Sequence, residues 1–339
     1  MSEKLVMKKY TGAELVPEPI HQCRVCERES GKKSQFTSNG YEWLKCGSCG
    51  TVQKILTHQQ YLELNPTYDP GSYLDSANRE QIERFLGIDQ TIKVIAGVTK
   101  RYVSSSSENG MKRSFLDVGC GMGAFMLAAK RLDFDVLGFE PSADHAYVAT
   151  KHLQLPVIAN YFSRELIGDR TFDLIMLSHV IEHIFSPKTF LHELIAILKP
   201  GGALIVVTPN SDSLVAKFTG RRWPTIKPVD HVTLLSAKAY AHFELEGLAD
   251  VHHWYSEFPY EFAATIASVV KARMRQVSDP APPRSAVPNK AAPPPLRELS
   301  VKARLLKSLL TIASVPAWLL AAATDKRACL NSAVVRRAS

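Results

Sequence analysis

Between residues 114 and 255 the chain alternates short apolar runs with longer stretches of helical periodicity. Phe115 and Leu116 lead into Asp117, after which Gly119, Gly121 and Gly123 alternate and the Ala-rich AFMLAAK begins. That order predicts a strand, a glycine turn and a helix. Val136–Phe139 reads as a second strand, ending in Glu140, and Phe172–Leu177 as a third, running on into SHVIEHI. Ala203–Thr208 follows the turn Lys199-Pro200-Gly201-Gly202 as a fourth, and a later strand lies around Val251–Tyr255. Strands alternating with helices predict an α/β fold with a parallel sheet. Upstream, turn residues give way at Ser76 to a helical pattern running to about Tyr102, then to the polar linker SSSSENG at 104–110.

The C-terminal quarter has a different texture. Residues 279–295 contain seven prolines, the composition of an extended linker. Residues 308–324 carry no charge and are flanked by Lys302, Arg304, Lys307, Lys326 and Arg327. With Pro316 inside it, this run is short for a spanning helix. It reads either as an interfacial helix pair meeting anionic lipid, a peripheral membrane contact through 302–327, or as a helical cap on the protein's own core.

The net charge of +8 first suggests a nucleic-acid partner. Divided by segment, residues 1–110 hold 14 Lys/Arg against 13 Asp/Glu, and residues 111–255 hold 14 against 15. The excess therefore sits wholly in the C-terminal quarter, and a nucleic-acid partner is not favoured. The N-terminus has no apolar run of signal-peptide length, so the expected setting is cytoplasmic, with a peripheral place on the inner face of the membrane as the alternative.

Four of the six cysteines form Cys23-x2-Cys26 and Cys46-x2-Cys49, which is zinc-ribbon spacing. Two such turns present four thiolates to one tetrahedral ion, with no open position for chemistry, so the expected zinc is structural. Unconnected reduced cysteines or two disulfides are the alternatives. Cys120 and Cys329 read as plain buried residues.

Glycines at a strand-to-helix turn let the backbone approach a ligand, and an acid at the next strand's end is placed to accept ribose hydroxyls. A nicotinamide enzyme would want GxGxxG, and Ala124 with Gly123 breaks that spacing. The stretches DVGCGMG, FDLIMLSHVIEHI and LKPGGALIVVTPN, in this order, resemble class I S-adenosylmethionine-dependent methyltransferases over roughly Ser114 to Tyr255. The resemblance implies a Rossmann-like seven-stranded sheet, with CLNSAVVRR as the final antiparallel strand and the Pro-rich and apolar stretch as a C-terminal helical insertion. It also implies that Asp117, Gly119 and Gly121 approach the methionine part of the cofactor, with Cys120, Gly123 and Pro141 in the same binding set. Glu140 would hold the ribose, Asn160 would flank the adenine, and Ser178 and His179 would lie beside the transferred methyl.

His179 and His183, four apart, are expected on one face of a helix leaving the third strand, as catalytic groups or as cap and pocket wall. Glu182 reads as a packing or capping residue. His231, beside Asp230, ends the long connection 211–229 where a loop would return over the site. A zinc ribbon ahead of such a core, with an acid–His pair in this loop, is similar to sugar C-methyltransferases acting on nucleotide-linked deoxysugars and to surface-polysaccharide methyltransferases. There the pair is Glu-His and is implicated in proton abstraction; it matches Asp230 and His231, and a pocket histidine matches His183. A lid over the substrate makes Tyr73 a candidate substrate contact.

The expected organisation is a zinc-ribbon module at 1–60, a helical linker or lid at 61–110, a methyltransferase domain at 111–255 plus 325–339, and a Pro-rich, apolar insertion at 256–324. The expected substrate is a nucleotide-linked sugar or envelope-glycan precursor, with C- or O-methylation open. An rRNA or tRNA methyltransferase with an RNA-binding ribbon, and a non-catalytic zinc-ribbon interaction protein, are the rival functions.

Overall fold

The computed structural model describes residues 22–29, 35–64, 79–104, 111–226, 228–256 and 318–337, with single positions at 265, 312, 315 and 316. Tyr73, the proline-rich stretch and most of 302–317 lie outside the described residues.

The larger sheet is built from β4 (Ser114–Val118), β5 (Asp135–Phe139), β6 (Val157–Ile158), β7 (Phe172–Ser178), β8 (Leu198–Pro209), β10 (Ala249–Ser256) and β11 (Cys329–Arg336). Its spatial order is β10-β11-β8-β7-β4-β5-β6. The pairs among β4 to β8 are parallel, and β11 inserts antiparallel to both β8 and β10. This is the seven-stranded, Rossmann-like sheet expected from the sequence, closed by the expected last strand. Side chains alternate strictly across it. Leu116, Val118, Ile175, Leu177, Leu204 and Val206 enter one apolar cluster, while Phe115, Leu174, Met176, Ala203 and Ile205 enter the other. A parallel sheet covered on both faces needs this continuous apolar reading, which is why its strands stand out in the sequence.

The second face packs the helices Arg79–Phe85, Ile88–Tyr102 and Ala124–Arg131 through Ile82, Ile95, Val98, Met126 and Leu127. The helix expected over Ser76–Tyr102 is in fact two, parted at Gly87, whose left-handed φ of +62° ends the first helix and caps the second. On the first face lie the helix Pro187–Ala196 and, in the same cluster, Cys23, Cys46 and Cys49.

A smaller antiparallel sheet runs in the order β1 (Gln35–Ser38), β2 (Tyr41–Lys45), β3 (Val52–Lys54), β9 (Thr233–Leu234). Its last strand comes from far along the chain, with Val52 opposite Leu234 and Gln53 opposite Thr233. Trp43, Val52, Val215, Trp223, Ile226 and Leu234 form the apolar cluster at this junction. The connection 211–229 therefore packs on the cysteine-bearing sheet and carries its own helix, Leu214–Thr219.

Two further expectations change. SHVIEHI contains no α-helix: a single 3-10 turn, Ile181–His183, precedes the helix that starts at Pro187, so His179 and His183 do not share a helix face. Pro187, at the first helical position, marks the start that periodicity placed too early. Lys199-Pro200-Gly201-Gly202 is not a turn ahead of a strand but an irregularity inside β8, where the register with β7 jumps between Phe172 and Leu174. A Cβ on Gly202 would lie 2.9 Å from the Lys199 carbonyl oxygen and 3.0 Å from those of Phe172 and Asp173. Gly202→Ala is accordingly expected to cost about 1–3 kcal/mol by overpacking, seen as a lower urea midpoint at unchanged slope; an unchanged midpoint would show that the bulge relaxes.

Candidate functional site

The strand order reverses around β4, between β5 and β7, and in such sheets the crevice at the strands' carboxyl ends takes the ligand. The glycine turn after β4 is sewn to β5: the Gly119 and Cys120 amides both donate to the Phe139 carbonyl, at 2.8 and 2.9 Å. Glu140, buried at the end of β5, accepts from the Gly121 amide at 2.7 Å and the Ser142 amide at 2.8 Å. Gly119 is obligatory, since at φ +71° a Cβ would fall 2.5 Å from Val180 Cγ2. Gly121, at φ +53°, faces open space.

Asp117 is the informative residue here. It is 1% exposed, and neither carboxylate oxygen has a hydrogen-bond partner among the described residues. Burial, and behind it the charge of Glu140, pushes its carboxyl up to about 8. An unpartnered buried acid beside an open glycine is what a donor-bearing ligand would satisfy, so the crevice fits a cofactor with cationic or N–H groups. Cys120 is buried beside it, its thiol raised by burial, as expected for an inert residue. Pro141 is exposed, Asn160 stands just past β6 with its Oδ1 accepting from the Tyr161 amide at 2.8 Å, and Ser178 ends β7.

His179, next in the chain, takes the left-handed φ of +55° that a non-glycine residue rarely adopts. Its amide is held by the Val207 carbonyl at 2.8 Å, and its Nδ1 lies 3.1 Å from Glu182 Oε1. Glu182 is fully buried and also accepts from Thr208 Oγ1 at 3.1 Å. Its carbonyl takes the Val232 amide at 2.8 Å, tying the turn to the loop of His231. It is thus more than a cap.

His183 and His231 form the second half of the site, rings 4.9 Å apart and edge to face. His183 Nδ1 lies 3.1 Å from both the carbonyl and the carboxylate of Asp230. His231 Nδ1 lies 2.6 Å from the Thr225 carbonyl and so carries the hydrogen, leaving Nε2 as the acceptor in the neutral ring. Burial opposes charge at His183, but the Asp230 and Glu182 carboxylates outweigh it and raise its pKa. At His231, burial and then the neighbouring His183 lower it. The two adjacent imidazoles are thus pushed apart, His231 toward the neutral form and His183 toward the charged one. Glu182, His183 and His231 also bring one donor atom each within 4.8 Å of one another, a grouping that could hold a metal ion.

The four N-terminal cysteines do converge. Cys23 and Cys49 sulfurs are 3.6 Å apart and those of Cys26 and Cys46 3.5 Å, all four within 4.8 Å. Disulfide sulfurs would be about 2.05 Å apart, whereas bonds of about 2.3 Å to a tetrahedral zinc place sulfurs about 3.8 Å apart. The set fits such an ion.

Thr208, Thr225 and two cations of the cysteine module, Arg24 and Lys54, were not singled out from the sequence. Thr225 acts through its carbonyl, which side-chain identity does not report. Lys54 is fully buried, which nothing in its strand's pattern signals.

A family model for the methyltransferase domain matches residues 72–253, more than half of the chain. The human mitochondrial ubiquinone biosynthesis O-methyltransferase is 34% identical over 114 residues, which are 31% of this chain and 30% of that protein. The ubiquinone biosynthesis O-methyltransferase of Rhodopseudomonas palustris (strain TIE-1) is 33% identical over 99 residues, 28% of this chain and 39% of that one. The chain thus spans less than two-fifths of the length of these relatives. Among solved structures, a SAM dependent methyltransferase from Archaeoglobus fulgidus has a TM-score of 0.40 at 16% identity, covering 74% of this chain and 99% of that one. The YcgJ protein from Bacillus subtilis has a TM-score of 0.43 at 14% identity, covering 74% and 100%. With the family model lying across the glycine turn, the histidine turn and the loop of His231, the chain belongs to the methyltransferase domain family.

Proposed function

We propose that this chain is an S-adenosylmethionine-dependent methyltransferase that removes a proton from its acceptor with His231, and that the acceptor is a sugar, nucleotide-linked or part of an envelope-glycan precursor. The observation that carries the reading is the His231 imidazole, half-buried, of lowered basicity and with Nδ1 committed to the Thr225 carbonyl. The cofactor supplies an electrophilic methyl on a sulfonium. Asp117, the glycine turn and Glu140 would hold it, and Asn160, Ser178 and His179 line the same strand ends. Methyl transfer asks the protein for positioning and a base. His231 takes the acceptor proton, while His183, kept cationic by Asp230, opposes protonation of His231 and steadies negative charge growing on the acceptor. The four cysteines hold a structural zinc.

The printed names of the relatives support methylation at oxygen, and they favour a second reading, an oxygen of a precursor in ubiquinone biosynthesis. The sugar reading rests on the cysteine module preceding the core and on the Asp230-His231 pair. Exposed Leu319 and Leu320, on the helical segment 318–323, keep peripheral membrane contact as a proposal; no helix among the described residues is long and apolar enough to cross a membrane. Incubation with methyl-labelled S-adenosylmethionine and host extract, followed by separation of nucleotide sugars, lipid-linked glycans, quinone precursors and RNA, tests the acceptor. Label in either sugar fraction supports the first reading; label in quinone precursors replaces it by the second, and label in RNA overturns both.

Asp117→Asn separates binding from stability. The folded protein holds the Asp117 proton up to about pH 8, above the ordinary carboxylate range, so this residue's effect is to lower stability as pH rises through that window. The variant is expected to melt at a higher temperature than the parent at pH 8 in the absence of cofactor. It should also bind S-adenosylhomocysteine about 10- to 100-fold more weakly by calorimetry.

His231→Gln is expected to leave that affinity unchanged and to lower turnover about 10²- to 10⁴-fold. In the parent, turnover should fall with acid as His231 protonates, below the ordinary histidine pKa, and fall again with base as His183 discharges above it. The His183–Asp230 pair stabilises the fold fully below the ordinary histidine pKa, and that contribution is lost as pH rises through the raised value. Asp230→Asn should therefore move the alkaline limb of the turnover profile to lower pH; an unmoved limb would sever Asp230 from His183.

A further inference from the structure

Lys54 ends β3 with its side chain fully buried, and no carboxylate lies within ion-pair distance of it among the described residues. Its ammonium donates instead to the carbonyls of Val229 at 2.6 Å and Pro228 at 3.3 Å. The rings of Tyr41 and Trp43 flank it, their centroids 4.1 and 5.1 Å away. Its own amide donates to the Val232 carbonyl at 2.9 Å. A buried cation is expensive, and here the ligands that offset the cost are the carbonyls immediately before Asp230 and the faces of two aromatics. Burial lowers its pKa to about 8, with Asp230 pulling the other way.

Arg24, between Cys23 and Cys26, grips the same loop from the other side. Its guanidinium donates to the Lys54 carbonyl at 2.5 Å, the Val232 carbonyl at 3.4 Å and Thr233 Oγ1 at 3.5 Å. It also lies 4.1 Å over the ring of Phe185, two residues past His183. Residues 228–233 are thereby held between the cysteine module and the turn that carries Glu182 and His183.

We propose that Lys54 and Arg24 are positioning residues, through which the four-cysteine module fixes the loop of Asp230 and His231 against His183. Replacing Lys54 by an apolar chain leaves the Pro228 and Val229 carbonyls unpaired in a dry site, so the loop has to move to find water. Asp230 then leaves His183, and the Thr225–His231 bond loses its geometry. The effect on turnover rests on the methyltransferase reading; the effect on the histidines does not.

The test uses Lys54→Met and Arg24→Gln in the full-length, ¹⁵N-labelled protein. Long-range ¹H–¹⁵N spectra of the imidazoles report tautomer and charge at His183 and His231 without any methyl acceptor. Both variants are expected to keep their zinc and to bind S-adenosylhomocysteine within about twofold of the parent. In both, the Nδ1-protonated pattern of His231 and the raised titration of His183 should be lost. With a methyl acceptor in hand, kcat should fall about 10- to 100-fold at unchanged KM for S-adenosylmethionine. Unchanged imidazole spectra in folded, zinc-bearing variants overturn the proposal. Loss of S-adenosylhomocysteine binding along with the histidine signals, in both variants, also overturns it, because the module would then be supporting the fold as a whole. Arg24→Gln, at a half-buried position, carries the test if Lys54→Met does not fold.

Discussion

One buried carboxylate joins the parts on which the site depends. Glu182 has no solvent exposure, and an isolated acid there would discharge itself. Instead its side chain takes hydrogen bonds from Thr208 on β8 and from His179 at the end of β7, and its carbonyl takes the Val232 amide from the distant loop. Burial alone would raise its pKa; the pull of His179 and then His183 outweighs that and lowers it. A charged group kept inside the protein in this manner fixes directions as well as positions, since every donor must point at it. His179 accepts a left-handed backbone to make its bond, and the strain is held by the parallel strands on either side.

The two halves of the site are prepared in opposite senses. At the strand ends of the glycine turn, Asp117 has no hydrogen-bond partner among the described residues, while Glu140 is oriented by one backbone amide on each oxygen and keeps acceptor capacity to spare. At the histidine pair both imidazoles are held through Nδ1, and their differing surroundings raise the pKa of His183 and lower that of His231. Preorganisation of this kind keeps the reacting groups from having to reorient during transfer.

The cysteine module belongs to this arrangement more closely than a tethered domain would. Its sheet ends in a strand from the loop of His231, its sulfurs pack in the same apolar cluster as the helix Pro187–Ala196, and its Gly50 and Cys49 carbonyls accept from the Ser211 and Ser236 hydroxyls. A small sheet with so little apolar surface gains burial from this docking.

The sequence by itself determined the α/β class, the glycine turn and its acid, the paired cysteines and the closing strand. Each of these is a local signal: continuous apolar runs for strands covered on both faces, φ values that need glycine, and ligand spacings set by turn geometry. It also marked His179 and His183 by their place after the third strand, and Asp230 and His231 by the returning loop and the resemblance to sugar methyltransferases. It misjudged SHVIEHI, where Glu182 and a strained His179 override helical periodicity, and the run Ser76–Tyr102, which Gly87 divides. Only the tertiary structure showed that the two imidazoles are pushed in opposite directions, since that turns on two backbone carbonyls and a half-buried neighbouring ring 4.9 Å away. It alone joined Val52 to Leu234 and set Lys54 beneath the catalytic loop, because pairings between residues so far apart in the chain depend on how the two sheets meet and leave no periodic trace.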